Sequence, residues 1–447
     1  MLSGYLHFKT KALKIGLAIF HVALIFYCTL SLGRRWNAAS SRLFWGAFLF
    51  RLVAGISLGL VYIYYYAAGD TWQFFEDAKK FSALAREDLF SYLKALFDFS
   101  ENQFVIGELV NRDLRSVFFI KIISVFCLLS LDNYWVCSAY FSLLAFISSW
   151  GLHRKIVSIY PDSQTASALG FLLFPSVIFW SSGLEKESMA LCGIYFLTIT
   201  FLTLMSSKKP SKLFCILIVP VGFVIWSLKY YWAVVFFISI STALLMRLLL
   251  FKFPLIKKFS TVVWIILFLG IGVVLSFTHP NFYLSRFLEV IVSNNGEFEA
   301  ISDPGNLIHY YQFEQSWTSI MINSPWALIS GLFRPQIGEG QGLLGWAASI
   351  ENFFLLVLFV GALLNFKKGF AFSQLVILSA ALSYCIVLCV FLALSTPNFG
   401  TLSRYRVGFL PFFVFVTAYR NPIVVWLSIK LNQPLTSISI FGKNPIP

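Results

Sequence analysis

Long apolar runs separated by short polar breaks dominate this sequence. Runs near bilayer length cover about 13–32, 44–66, 134–151, 165–182, 188–206, 213–229, 231–251, 261–278, 345–365, 372–395 and 405–420. A helix needs roughly 20 apolar residues to cross a bilayer, so each run predicts a crossing helix. The run 116–131 is shorter and carries Lys121 near its middle; it is a re-entrant or surface helix in an eleven-span chain and a full span in the rival twelve-span chain. The first run is too long for the apolar core of a signal peptide, and no small-residue cleavage site follows it, so it is expected to be a span. The pattern therefore predicts an all-α polytopic transmembrane bundle of about 11–13 spans, with eleven favoured, as a single membrane domain over 1–447. A membrane β-barrel would show short alternating segments instead.

Two long polar segments interrupt the runs. In 67–115, apolar residues recur at helical spacing with charges between them, which predicts amphipathic helices on the bilayer surface. The segment 279–344 mixes loop sequence with a second amphipathic stretch. The short breaks, by contrast, are basic: Arg34, Arg35 and Arg42; Arg154 and Lys155; Lys208, Lys209 and Lys212; Lys252, Lys257 and Lys258; Lys367 and Lys368; Arg420, Lys430 and Lys443. Basic short loops face the cytoplasm, so the two long, net-negative segments are expected outside. An eleven-span chain puts both there together and starts outside. Lys9, Lys11 and Lys14 argue for the opposite start.

Composition sharpens this picture. Of 447 residues, 58% are hydrophobic and 12% charged, which excludes a soluble enzyme and a disordered chain. The net charge of +14 is accounted for by topology, and no basic face for nucleic acid is visible. Seven cysteines lie mostly within apolar runs with no CxxC pair, against a disulfide framework or a zinc site. The expected location is the plasma (inner) membrane, among its lipids.

Ionisable groups in or beside a membrane are costly, so each is a candidate for function. Asp70 follows a span ending in tyrosines and opens an amphipathic helix. It is either a general base or an N-cap with Gln73 completing a capping box. After Pro175 and Trp180 come Glu185, Lys186 and Glu187. Lys186 can bind a lipid phosphate and Glu185 a sugar hydroxyl, or Ser182 and Glu185 form a capping box while Lys186 snorkels. Glu187 suits a helix N-terminus. Arg334 follows a short apolar stretch, and Glu351 falls inside a span. Each is the other's expected partner, as a phosphate site or a structural pair. Arg404 and Arg406 flank Tyr405 at the outer end of the last run, against the positive-inside trend, which suits an anionic ligand or lipid headgroups. Arg51 and Arg247 receive no role, and the five histidines form no cluster.

These segments resemble motifs of the GT-C glycosyltransferases, polytopic enzymes that take sugars from polyprenyl-phosphate carriers at the outer face. "GDTWQFFEDA" resembles the Gly-Asp pattern of their first outer loop. "FPSVIFWSSGLEKES" is similar to the Pro-containing turn and acid of their second. "SRYRVGFLPF" resembles the Arg-Tyr end of a late helix in related proteins. The resemblance implies that Asp70 is the catalytic base, with Glu185 as a second acid. Asp70 follows the second span rather than the first. The paired acid of the motif is displaced to Glu76 and Asp77, so the motif leaves a divalent metal open. The expected substrates are a polyprenyl-phosphate sugar and a glycan, lipid or protein acceptor, with Lys186, Arg334, Arg404 and Arg406 available for the phosphate. Two other readings stay open. An O-antigen-type polymerase or ligase would place its key residues in 279–344. A transporter or flippase would show two similar halves, and no such repeat is seen.

Overall fold

The computed structural model describes residues 2–66, 69–98, 107–206, 209–278, 280, 283–364 and 370–432, with the side chains of 2–11 and 429–432 left aside. Lys9, Lys11, Lys208, Lys367, Lys368, Lys430 and Lys443 lie outside the described side chains. The described residues build an all-α polytopic bundle, a multi-pass membrane protein. Eight helices are long and apolar enough to cross a membrane, or nine if the bent pair Leu410–Ala418 and Pro422–Ser428 counts as one.

Contacts between helix ends reveal further passes that helix length conceals. We number the helices α1 (Leu2–Arg35), α2 (Arg42–Tyr64), α3 (Asp70–Glu87), α4 (Leu89–Phe97), α5 (Leu114–Ser130), α6 (Tyr134–Ile159), α7 (Gln164–Ala168), α8 (Pro175–Trp180), α9 (Lys186–Met205) and α10 (Lys212–Lys252). The continuous helix α10 breaks at Lys229, whose φ of −146° and ψ of 66° are not helical. Lys229 lies 2.7 Å from Glu187 in the first turn of α9, while Arg247 donates to the Leu204 carbonyl near the end of α9. Those two points on α9 are about 26 Å apart at 1.5 Å per residue. The chain therefore reverses at Lys229, and Gly222 on one leg packs against Phe237 on the other. The two apolar runs on either side of Lys229 are two antiparallel legs.

The pass expected over 165–182 is also present, in three pieces: α7, a π-helical turn at Leu169–Leu173, and α8 beginning at Pro175. Its ends mark its direction. Asp162 accepts from Arg420 at 2.8 Å on the basic side, and Ser181 receives Arg51 at the other. A broken helix leaves backbone carbonyls without internal partners, which is costly in lipid. Arg51, buried in α2, answers this by donating to the Phe171 and Ser181 carbonyls.

Helix α5 does not cross. Near its start, Ser116 accepts from Lys186 at the head of α9. At its end, Ser130 meets Cys137 at the head of α6. Tyr134, which opens α6, bonds Thr71 of α3, beside Asp70. Both ends of α5 thus lie at one rim, where α3 packs over it through Phe74 and Phe119. Lys121, the charge that made this run look short, is buried and donates to the Asp98 carbonyl at 2.5 Å.

The second half contains α11 (Ser260–Ser276), α12 (Leu284–Ile301), α13 (Trp317–Phe333), α14 (Gly342–Leu364), α15 (Phe372–Ser395), α16 (Phe399–Tyr405), α17 (Leu410–Ala418) and α18 (Pro422–Asn432). Helices α12 and α13 pack against the rim end of α15, through Phe287 on Phe391 and Gly331 on Cys389. Among the described residues, the chain therefore passes through α1, α2, α6, α7–α8, α9, both legs of α10, α11, α14, α15 and α17. The basic breaks gather at one rim. The segments around 70–98, 107–131 and 283–333 cover the other.

Cysteines placed at Phe90 and Ala300, both exposed, are expected to react with a membrane-impermeant maleimide from the same side of the membrane, and Lys257→Cys only from the opposite side. Labelling of position 90 together with 257 would contradict this path.

Candidate functional site

At the rim opposite the basic breaks, the α2–α3 junction and the turn leading into α9 converge on one arginine. Helix α2 ends in Tyr62-Ile63-Tyr64, and the chain re-enters α3 at Gly69, whose extended backbone forms the N-cap. Gly69 lies so close to Tyr62 that an added Cβ would stand 2.2 Å from the ring, so only glycine fits. Asp70 is the first residue of α3 and makes no capping bond, so the expected capping box with Gln73 does not form. The second segment is the turn after α8. Gly183 adopts a φ of +76°, a left-handed conformation that favours glycine. This turn delivers Glu185, fully buried, as the N-cap of α9 without a side-chain capping bond. Ser182 donates to the Ile178 carbonyl instead, so the second expected box is also absent. Glu187 follows in the first turn of α9.

Arg404, in the last turn of α16, reaches all of these. Its Nη1 donates to Asp70 Oδ2 at 2.7 Å and to the Tyr62 hydroxyl at 3.0 Å. Its Nη2 donates to Glu185 Oε2 at 2.6 Å and to Glu187 Oε2 at 3.2 Å. Lys229, at the hairpin turn of α10, completes the set by pairing with Glu187, and its ammonium lies 4.1 Å from the centre of the Tyr405 ring. Sequence reasoning singled out Asp70, Glu185, Arg404 and Tyr405, and these do come together. It missed Lys229, the one charge between Lys212 and Arg247 in a long apolar stretch. Its isolation was a signal by the rule for intramembrane charges.

The accounting of charge is informative. Two buried carboxylates, Glu185 and Glu187, face two cations, Arg404 and Lys229, and the half-exposed Asp70 adds a third acid at the edge of the set. Burial pushes the Glu185 carboxyl up to about 8, against the pull of Arg404, with Glu187 and Asp70 adding to the rise. Burial alone would lower the Arg404 guanidinium, but Glu185 and Glu187 hold it well above its ordinary value. Among the described residues, Glu185 Oε1 makes no hydrogen bond. Asp70 differs from its neighbours in access: its side chain is 51% exposed, against 0% for Glu185 and Glu187.

The other expected residues sit elsewhere. Arg334 does not meet Glu351. It is held by Glu339, with Nη2–Oε1 at 2.9 Å, and lies 4.8 Å from the centre of the Phe399 ring. Its neighbour in sequence, at the turn just after Pro335, reaches it first. Glu351 accepts from the Ser176 amide at 2.7 Å and from the Ser176 hydroxyl, and stands 3.7 Å from Arg406 Nη2. Arg406 is fully buried, not open at a mouth. Lys186 donates to Ser116 at 2.6 Å and lies over Phe74. Glu76 pairs with Lys79 on an exposed face. Asp77 is buried and accepts from Lys80 and the amides of Val110 and Asn111, tying the 107–113 segment to α3. Both are committed to structure, and no group of three His, Cys, Asp or Glu side chains among the described residues is arranged to hold a metal.

Two cavities flank Arg404. One is a deep groove of about 1190 Å³, lined mainly by apolar side chains including Leu173, Phe174, Trp180, Phe354 and Leu427, with Tyr66, Asn398 and Ser403 also on its wall. The other is a polar pocket of about 270 Å³ that includes Lys186, Lys229 and Tyr405. Ser403 and Arg406 face the groove, and Tyr405 faces the pocket, so the α16 end forms the partition between them.

Arg404→Ala would leave Glu185 and Glu187 buried with Lys229 alone. Removing one partner of a buried ion network costs about 3–5 kcal/mol, so the purified variant is expected to melt well below wild type, and an unchanged Tm would contradict the network. The pH dependence has a definite sign. Glu185 holds its proton more tightly folded than unfolded, so its contribution is full at pH below the ordinary carboxyl range and is lost as pH rises toward about 8. Wild-type Tm should fall between pH 5 and pH 8, and Glu185→Gln should flatten that slope. An equally steep slope in the variant would refute the assignment.

The chain matches no protein-family model, no curated protein and no solved structure.

Proposed function

We propose that this protein is a membrane glycosyltransferase that moves a sugar from a polyprenyl-phosphate carrier to an acceptor hydroxyl, with Asp70 as the general base. The observation that supports this most is the meeting at one rim of a solvent-facing carboxylate, fixed by a buried arginine, with a deep apolar groove. A polyprenyl tail is long and wholly apolar, and such a groove suits it. Phe399 lines that groove and carries Arg334 on its face, and we assign this guanidinium to the carrier's phosphate. Arg404 has a different part from the one the sequence suggested. Its Nη1 and Nη2 donors are taken by Asp70, Glu185, Glu187 and Tyr62, so it positions Asp70 rather than gripping phosphate.

In the proposed reaction the acceptor oxygen attacks the anomeric carbon. Its proton passes to Asp70, and the bond from the anomeric carbon to the phosphate oxygen breaks. Polyprenyl phosphate leaves with the electron pair, and the Arg334 charge stabilises the growing negative charge. A single displacement inverts the anomeric centre.

The test supplies the purified protein with a panel of polyprenyl-phosphate sugars and measures free polyprenyl phosphate. Asp70→Asn should lose about 100-fold or more of the rate, the usual scale for a lost general base. Equal release by wild type and Asp70→Asn would refute Asp70 as base. Loss in Arg334→Ala with Asp70→Asn spared would favour an O-antigen-type polymerase. Movement of the lipid across a vesicle membrane without bond cleavage would favour a flippase.

A further inference from the structure

The polar pocket on the far side of Arg404 has a charge balance that the proposed chemistry does not use. Its wall carries three cations, Arg115, Lys186 and Lys229, and one acid, Asp113. Lys229 is compensated from behind by Glu187 at 2.7 Å. Arg115 has Asp113 at 3.9 Å. Among the described residues, Lys186 has no carboxylate within ion-pairing distance, and its ammonium meets the Ser116 hydroxyl and the face of Phe74. Lys186 is therefore the wall cation without a directly paired acid, partly withdrawn from solvent. An unpaired cation away from water costs free energy unless an anion joins it. The pocket volume of about 270 Å³ suits one sugar ring rather than a lipid tail, and Tyr231 and Tyr405 offer ring faces beside the cations.

We infer that this pocket receives the acceptor, as a sugar ring carrying one anionic group, either a carboxylate or a phosphodiester, held by Lys186. Calling the bound sugar the acceptor rests on the glycosyltransferase reading; the binding itself does not. The placement follows from the partition. The carrier's tail lies on the Ser403 side of the α16 end and the anionic sugar on the Tyr405 side.

The experiment measures binding to the purified full-length protein by saturation-transfer NMR, with methyl glucuronoside, glucose 6-(methyl phosphate) and neutral methyl glucoside as probes. At least one charged probe should bind about tenfold tighter than the neutral one, the scale of one charge-assisted contact. That preference should shrink at high salt, vanish in Lys186→Gln and persist in Lys186→Arg. The tighter of the two charged probes identifies the anion. Equal binding of charged and neutral probes, or a preference that survives Lys186→Gln, would overturn the inference. Because no transfer is read, the two proposals fail separately. Charge-selective binding by a protein that releases no polyprenyl phosphate would sink the transferase reading alone. Release that depends on Asp70, with no charge selectivity, would sink this one.

Discussion

The rim of this protein depends on one buried guanidinium. Arg404 is shared by carboxylates from the start of α3 and from the head of α9, and by a tyrosine at the end of α2. Lys229 extends the network to the hairpin of α10. Charges withdrawn from water are tolerated only when each finds a partner of good geometry. Segments more than 300 residues apart in sequence, such as those of Asp70 and Arg404, must therefore assemble together for any of them to be stable. The cost of burying this set is consistent with a functional site rather than with stability alone, since apolar residues would pack there more cheaply.

The second constraint is the treatment of broken backbone inside the membrane layer. The pass through α7 and α8 is interrupted by a π turn and by Pro175, and α10 reverses at Lys229. Each break is answered by a buried cation. Arg51 donates to carbonyls around the first, and Lys229 itself stands at the second, pairing with Glu187. The break at Pro175 also frees the Ser176 amide, which Glu351 accepts beside Arg406. The irregular segments thus line the groove and the site, where polar partners are available, and regular helix faces the lipid.

Hydropathy made the crossing segments legible, including both legs of α10, because burial in lipid demands an unbroken apolar run whatever the tertiary contacts. The Gly-Asp start of α3 was legible as an acid opening an amphipathic helix after a tyrosine-rich span end, and the glycine proves necessary for the close approach of Tyr62. Ion pairing was not legible. Glu351 and Arg334 looked like partners by proximity in sequence, yet a turn gave Arg334 to Glu339, and the fold brought Arg406 to Glu351. Helix capping was misread for the same kind of reason. Asp70 has its partner across space in Arg404, and Ser182 turns back to the Ile178 carbonyl four residues earlier. Lys229 was overlooked because it fell at the junction of two apolar runs, where it resembled a loop residue.

We propose that the carboxylate at Asp70 and the apolar groove serve one reaction. The most direct measurement is a cryo-electron microscopy structure of the protein in nanodiscs with a bound polyprenyl-phosphate sugar. The account predicts isoprenoid density along the groove by Phe174 and Trp180, phosphate near Arg334, and the anomeric carbon facing Asp70. Lipid bound at the opposite rim, or a sugar held away from Asp70 with the groove empty, would contradict it.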